Sequence, residues 1–554
     1  MLPPTHGPVA GWADRGRVVA SITDEWRGSA ERLQERLRPR DDLLVRERPV
    51  EDAPAGPSSS PGSSGSRTFE AEHGPFTRYE RRVEWRTDGD DVVMSQRVDW
   101  RLAIPYWGWL YSPFVRRALH DGIAPGRRPW WLFPDRLSVR QARAVATMAL
   151  FSLVAGLLYG QLTQVLTFAS ADIGDGTSGQ QAAIFAFARI GAVLTAFMMF
   201  QADRFGRRRI ALWAFGIAVA LSAATALVPG LAALTVLQAI ARNLAVAGLL
   251  AVDTICVEEL PAGSRAMASG LGAMAYGLGT GVVVVSLPLA DVSSWGWRLV
   301  FGLSLITVPL IAVGAKTLKE SGRFQLLAAG PVQRSAAPGA HTPDDAPGER
   351  LIEGAPVESS RIRGGRFLLL AALFLLLNVF IAPMSQLQND YLRADREFDG
   401  LSITIFTLVT GTPAGLGVIV GGRIADTRGR RWALVPGLIA LGLFTAVFFS
   451  ISGPAMWVSA LVAAVLGTLT VAPLGVLAPE LFPTARRGGA RGALNVLAVV
   501  GSVIGLGLAG VGVDASGYGT TFALLALGPL IAAGLAFAIP ETSGRELEEL
   551  NRED

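Results

Sequence analysis

From Ala142 onward the chain alternates apolar runs of roughly 20 residues, the length a helix needs to cross hydrocarbon, with short charged turns. Twelve membrane-spanning helices are predicted, at approximately 142–169, 180–201, 209–228, 231–257, 266–290, 298–318, 366–386, 401–422, 432–451, 455–477, 492–513 and 519–540. The turns on alternate sides differ in charge. Those at 202–209, 258–265, 319–365, 423–431 and 479–491 carry the arginines, whereas 170–179 has only Asp172 and Asp175, 229–230 and 452–454 carry no charge, and 387–400 has more acids than bases. Basic residues concentrate on cytoplasmic loops, so a multi-pass cell-membrane protein with both termini in the cytoplasm is expected. The stretch 329–360, rich in Ala, Pro, Gly and charge, reads as a flexible linker between two six-helix halves.

The first quarter follows another pattern. Ile22, Trp26, Ala30, Leu33 and Leu37 recur at helical spacing with charges between them, which predicts one amphipathic helix. Residues 51–66, EDAPAGPSSSPGSSGS, have the composition of a disordered linker. Next, Tyr79, Val83 and Trp85 share one face of a strand, Asp88-Gly89 supplies a turn, and Val92, Met94, Val98, Trp100 and Leu102 line a return strand: a β-hairpin. A lone hairpin is marginal in water, so its apolar face needs a cover. Two aromatic segments, Ile104–Phe114 and Arg127–Phe133, can supply it as the core of a small α+β domain, or can instead anchor in the headgroup layer, because Trp and Tyr suit both places. The strand pair also faintly resembles part of a helix-grip lipid-binding domain, which needs more strands than the pattern reveals.

The expected organisation is a cytoplasmic α+β region at 1–140, a six-helix bundle at 141–318, a cytoplasmic linker at 319–365, a second bundle at 366–540 and a cytoplasmic tail at 541–554. Composition agrees with a membrane protein: 50% of residues are hydrophobic and only 17% charged, against about 25% in an ordinary soluble domain. The single cysteine, Cys256, lies in an apolar run, and His6, His73, His120 and His341 all fall outside the runs. Neither a disulfide framework, a thiolate metal cluster nor an intramembrane histidine relay is therefore expected. No cofactor and no enzymatic activity are expected, since no nucleophile–base pair or phosphate loop is visible. Nor does a cleavable signal precede the first apolar run. Lysine occurs only at Lys316 and Lys319, so the basic balance reads as a preference for arginine codons and not as nucleic-acid binding.

The two halves echo each other. Asp203 and Gly206 in Asp-Arg-Phe-Gly-Arg-Arg-Arg209 match Asp426 and Gly429 in Asp-Thr-Arg-Gly-Arg-Arg431, 223 residues later. Glu258-x-x-Pro-x-x-x-Arg265 matches Glu480-x-x-Pro-x-x-x-Arg487 at 222, and Glu320-Ser-Gly-Arg323 is echoed by Glu541-Thr-Ser-Gly-Arg545. A direct repeat of six helices predicts two bundles related by an axis along the membrane normal. With Gly296-Trp-Arg298 before the sixth run and Pro540-Glu-Thr-Ser-Gly544 after the twelfth, residues 140–550 resemble the major facilitator superfamily, and within it the cluster of sugar porters and metabolite:proton symporters. The resemblance implies a monomeric secondary transporter in the lipid bilayer that moves a small molecule by alternating access, with protons as a candidate coupling ion.

It also implies a latch at the charged turns, formed by Asp203, Gly206, Arg207, Arg208, Asp253, Glu258 and Arg265 and by Asp426, Gly429, Arg430, Arg431, Glu480 and Arg487. Asp203 and Asp426 can each face a helix N-terminus of the other half, and Arg207 and Arg430 can meet Glu258, Asp253 or Glu480. The plainer reading is that these charges only end helices and set topology. Met199 stands where the family pattern has glycine, whereas Gly422 keeps it. Inside the apolar runs, Arg189 and Arg242 lie about 21 and 24 Å from the charged turns at 1.5 Å per residue. No acid is evident at their depth, which suggests an anionic substrate, although bonds to neighbouring helices would also satisfy them. Gln161, Gln164, Asn378 and Gln386 can add neutral hydrogen bonds to a ligand or simply pack helices. No acid occupies the first run near Tyr159-Gly160-Gln161, the double glutamine of sugar porters is missing from the seventh, and the fifth carries Gly277-Leu-Gly279-Thr-Gly281 in place of an antiporter glycine-proline motif. A small organic metabolite, anionic by the arginines, is the expected cargo; a lipid or amphiphile handled through the N-terminal region, or a transporter-like sensor, are the alternatives.

Overall fold

A computed structural model describes residues 20–50, 64–88, 91–123, 129, 131–261, 264–320, 364–482 and 487–541. The N-terminal region is a five-stranded antiparallel sheet: β1 (Ala20–Gly28), β2 (Arg46–Pro49), β3 (Gly65–His73), β4 (Phe76–Asp88) and β5 (Asp91–Leu102), in the order β1-β5-β4-β3-β2. A short helix α1 (Ala30–Arg36) carries the chain from β1 across to β2, and α2 (Gly108–Asp121) follows β5.

The expected β4–β5 hairpin forms, but Asp88, expected in the turn, pairs in the ladder opposite Asp91, while Gly89 lies outside the described residues. The expected helix over residues 22–37 is corrected: Ile22 faces Val98 and Trp26 faces Met94 on β5, and only Ala30–Arg36 is helical. A four-residue separation fits both a helix turn and two strand repeats, and pairing against β5 decides between them. Strand β3 also begins inside the stretch assigned to the linker, at Gly65, while residues 51–63 lie outside the described residues. The apolar face is covered as its exposure requires. Val115 and Leu119 of α2 pack on Ile22, Tyr79, Val98 and Trp100, and Leu33 of α1 joins a second cluster with Phe69, Val83 and Met94. Of the second aromatic segment, Arg127, Arg128 and Trp130 lie outside the described residues.

Inside this small core sits an ion pair. Arg81 and Glu47, 2% and 5% exposed, meet at 2.6 Å; Arg81 also donates to the carbonyls of Arg36 and Arg38, and Tyr79 donates its hydroxyl to Glu47. Every strong donor and acceptor is used, which is the condition for tolerating buried charge.

The remainder is helical: α3 (Val139–Ile173), α4 (Ser178–Ile190), α5 (Ala192–Phe205), α6 (Arg207–Thr225), α7 (Leu231–Glu259), α8 (Arg265–Val285), α9 (Trp297–Gly302) and α10 (Thr307–Thr317) form a first half. A second half comprises α11 (Gly364–Asp390), α12 (Gly400–Gly411), α13 (Ala414–Thr427), α14 (Arg430–Ser450), α15 (Pro454–Gly467), α16 (Val471–Leu481), α17 (Arg487–Leu525) and α18 (Leu527–Ala536). Eleven stretches among the described residues are long and apolar enough to cross a membrane, and the last, Ala493–Ala536, bends at Gly517 with φ of +78°. Glycine sets the closest contacts: a Cβ on Gly279 of α8 would stand 1.9 Å from the Leu153 carbonyl of α3, and one on Gly505 of α17 would stand 2.1 Å from the Val379 carbonyl of α11. The charged N-terminus of α3 is closed by Ser138 and Gln141, each side chain accepting from the other's backbone N–H.

The sheet is fastened to the first half. Tyr106 donates to the Val313 carbonyl and lies 2.8 Å from the Thr317 hydroxyl, Trp107 Nε1 donates to the Ala146 carbonyl, and the Ser264 hydroxyl donates to Asp135. Breaking a buried pair costs about 3–5 kcal/mol, so Glu47→Ala is expected to expose β2–β4 to hydrogen exchange by that amount while leaving the exchange of α14 unchanged; equal protection in variant and parent would show the pair is dispensable.

Candidate functional site

Between the halves, Arg242 of α7 is 4% exposed. Its guanidinium lies 3.9 Å from the centre of the Tyr159 ring and donates to the Thr163 hydroxyl at 3.2 Å. Thr163 passes the interaction on, donating to Gln386 Oε1 of α11 at 3.0 Å, so the arginine is tied across the interface. Arg189 of α4 stands within electrostatic reach of Tyr159, Arg242 and Tyr276. Neither arginine forms an ion pair with a carboxylate among the described residues. Next to this group, Asn389 donates to the side-chain and backbone oxygens of Gln164.

The expected polar residues divide. Arg189, Arg242, Gln164 and Gln386 come together around the α3–α11 contact. Gln161 is placed otherwise: fully buried, it donates to the Val300 and Phe301 carbonyls and accepts from Ser222, all within the first half. Asn378 donates to the Phe374 carbonyl one turn back and accepts from Ser502 at 3.5 Å, both in the second half. Packing within one half accounts for the bonds of both. Thr163 and Tyr159 were not foreseen, because a hydroxyl in an apolar run gives no signal until its depth relative to Arg242 is known.

The end of the bundle away from the sheet is closed by three carboxylates. Asp514, on α17 one turn before its bend at Gly517, accepts from the Gly179 N–H at the N-terminus of α4 at 3.1 Å. Asp291 accepts from the Gly400 N–H at the N-terminus of α12 and pairs with Arg393 at 2.9 Å. Each half thus sets an acid on a helix N-terminus of the other, where free N–H groups and the helix dipole favour negative charge. Between them Asp390, 1% exposed, accepts from Ser178 and Gln181, both at 2.6 Å, and from the Tyr518 hydroxyl. Asp291 and Asp514 are themselves 223 residues apart, the same offset as the Asp203 and Asp426 repeat. That spacing was the signal for this pair.

At the sheet-domain end the contacts of the repeated motifs that fall among the described residues lie within each half. Gly206 and Gly429 have φ of +97° and +114°, a turn that leaves α6 and α14 without a capping side chain. The third motif supplies the acceptor: Glu320 takes the Arg208 N–H at 3.0 Å, and Glu541 takes the Arg430 N–H at 2.8 Å. Arg208 and Arg431 in turn donate to the carbonyls of Leu318 and Ile539, both at 2.7 Å. Arg207 pairs with Glu258 at 2.8 Å, also inside the first half. Asp253 makes no ion pair among the described residues. The side chains of Asp203, Arg265, Asp426, Glu480 and Arg487 lie outside the described residues, as does the partner of Arg430. Among pairs with both partners described, every hydrogen bond between the halves lies from Thr163 toward the closed end.

Residues 366–553 match the family model for the Major Facilitator Superfamily. No curated protein matches the sequence. The fold resembles that of the xylose transporter XylE from E. coli in an inward-open conformation, with a TM-score of 0.56 and 19% identity, covering 73% of this chain and 99% of that one. It also resembles the nucleoside transporter NupG, with a TM-score of 0.54 and 16% identity over 72% of this chain and 99% of that one.

A helix-terminal carboxylate contributes about 0.5–2 kcal/mol. Replacing both Asp291 and Asp514 by Asn is expected to raise the rate at which a membrane-impermeant maleimide reaches an Ala182→Cys probe, buried beside Gly510, by roughly tenfold or more; an unchanged rate would mean that the two acids do not hold this end shut.

Proposed function

We propose that this protein is a secondary active transporter that moves a small organic anion across the cell membrane by alternating access; the match of residues 366–553 to the Major Facilitator Superfamily model and the likeness of the fold to XylE support this reading. The observation that carries the anion is Arg242, set between the halves with only neutral hydrogen-bond and ring partners among the described residues, with a second cation, Arg189, within electrostatic reach. A guanidinium offers two parallel donors to a carboxylate or phosphate, and a charge in the middle of a bundle is expensive unless a partner or a cavity meets it. Tyr159, Thr163, Gln164 and Gln386 supply the neutral donors and acceptors around that anion.

The same reading extends to topology. The 44-residue stretch Ala493–Ala536 would be about 66 Å long as one helix, twice the hydrocarbon thickness of about 30 Å, and its bend at Gly517 divides it in two. Twelve spans in two sixes follow, with the arginine-rich turns, the sheet and both termini in the cytoplasm. In this orientation the closed end faces outward, and the structure corresponds to an inward-facing state. Release and rebinding of substrate then accompany the breaking of Asp291, Asp390 and Asp514 contacts on the outer side.

Uptake of a panel of labelled organic acids, xylose and nucleosides into proteoliposomes tests the proposal. Organic acids are expected to be taken up in preference to the neutral solutes. Arg189→Gln and Arg242→Gln should each lower apparent affinity for the acid by about ten- to a hundredfold, the scale of a lost charge-assisted hydrogen bond, without changing detergent-extracted yield. Uptake of neutral solutes alone, insensitive to both substitutions, would overturn the anion assignment.

A further inference from the structure

An apolar cavity of about 160 Å³ lies where the sheet meets the first half. Leu44, Leu102 and Val115 wall it on the sheet side, and Ala146 of α3 with Ala275 and Leu278 of α8 wall it on the membrane side. Its polar groups are few. The Asp135 carboxylate at its edge is already bonded by Ser264, and the indole N–H of Trp107 by the Ala146 carbonyl. Burial pushes the Tyr111 phenol up from its ordinary pKa, which keeps it neutral. An apolar void of this order does not hold water and takes up hydrocarbon instead.

The position of the walls says where that hydrocarbon comes from. Helix α8 starts at Arg265, so Ala275 and Leu278 stand about 15–20 Å along it, from the headgroups to near the middle of a hydrocarbon core about 30 Å thick. The apolar surface continues outward from both walls: Met274 and Leu278 on α8 are 68% and 59% exposed, and Trp109 and Leu110 on α2 are 73% and 47% exposed. An apolar helix surface on α2, locked against α3 through Trp107, makes sense beside lipid and is unfavourable beside water. A soluble amphiphile would have to cross that same surface to enter.

We propose that this cavity holds one acyl chain of a bilayer lipid from the leaflet on the sheet side, which seals the joint between the sheet and helices α3 and α8. The proposal rests on the transmembrane placement of α3 and α8 and not on the nature of the cargo, so solute uptake and lipid capture fail independently.

The full-length protein is reconstituted in vesicles of phosphatidylethanolamine and phosphatidylglycerol containing a trace of phosphatidylethanolamine with a diazirine at the end of one acyl chain. Irradiation followed by peptide mass spectrometry is expected to place adducts on the peptides holding Ala146 and Ala275. Filling the cavity with Ala275→Phe, or with the milder Ala149→Leu should the first fail to insert, is expected to cut those adducts about tenfold, equivalent to about 1.4 kcal/mol, while adducts around the exposed Trp432 on α14 persist. Adducts that survive both substitutions would mark ordinary lipid contact and overturn the proposal. So would labelling by a free diazirine fatty acid in detergent with none from vesicle lipid, since the occupant would then come from solution.

Discussion

A carboxylate at a helix N-terminus finds several backbone N–H groups and a favourable dipole without needing a cation. This chain uses that interaction at both ends of its helices, and the half that supplies the acid decides what each end can do. At the closed end an acid comes from the opposite half: Asp514 serves α4, and Asp291 serves α12 beside that helix's own cap, Asp399. At the sheet-domain end it comes from the same half: Glu320 serves α6, and Glu541 serves α14. Contacts across halves must break when the halves separate, whereas contacts within a half travel with it. Among the described residues, then, the cross-half carboxylates gather at one end of the bundle. Two such acids and the Asp390 cluster amount to a few kcal/mol, the scale on which a protein shifts between two populated conformations.

The centre obeys the opposite rule. There the charges are positive and their partners neutral: a tyrosine ring, a threonine hydroxyl and, through it, a glutamine. A cation–π contact and one hydrogen bond contribute about 2–4 kcal/mol together, and removing an ion from water costs several. On the proposed function, an arriving anion would close that difference. Because Thr163 bridges Arg242 to Gln386, a change in what Arg242 holds reaches the second half through two hydrogen bonds.

Much of the helical fold was legible because hydrocarbon allows so few solutions: runs of roughly 20 apolar residues must be helices, and arginines must lie at their ends. The repeat was legible for the same reason, but its use was not. Asp203 and Asp426 drew notice because they sit among arginines, while Asp291 and Asp514 share their offset and stand in unremarkable turns. The sheet was less visible. β2 is Arg-Glu-Arg-Pro with one buried residue, Glu47, and β3 buries only Phe69, so neither shows an apolar alternation. In β1 the separation of Ile22 and Trp26 fits two periods at once. What resolved each was a partner far along the chain, which local pattern cannot supply. Gln161 shows the same limit inside the bundle, since its partners Val300, Phe301 and Ser222 lie on other helices.

The sheet is joined only to the first half among the described contacts: to α3 through Trp107, to α10 through Tyr106, to the start of α8 through Asp135. Within the half, Arg140 in the first turn of α3 pairs with Glu259 at the end of α7. Three helices of one half are thus gripped by one small domain. Internal rearrangement of that half would have to shear these contacts together, so it moves as a unit with the sheet attached. Among the described residues the second half is hydrogen-bonded to the first only from Thr163 toward the closed end, where Asp291, Asp390 and Asp514 lie.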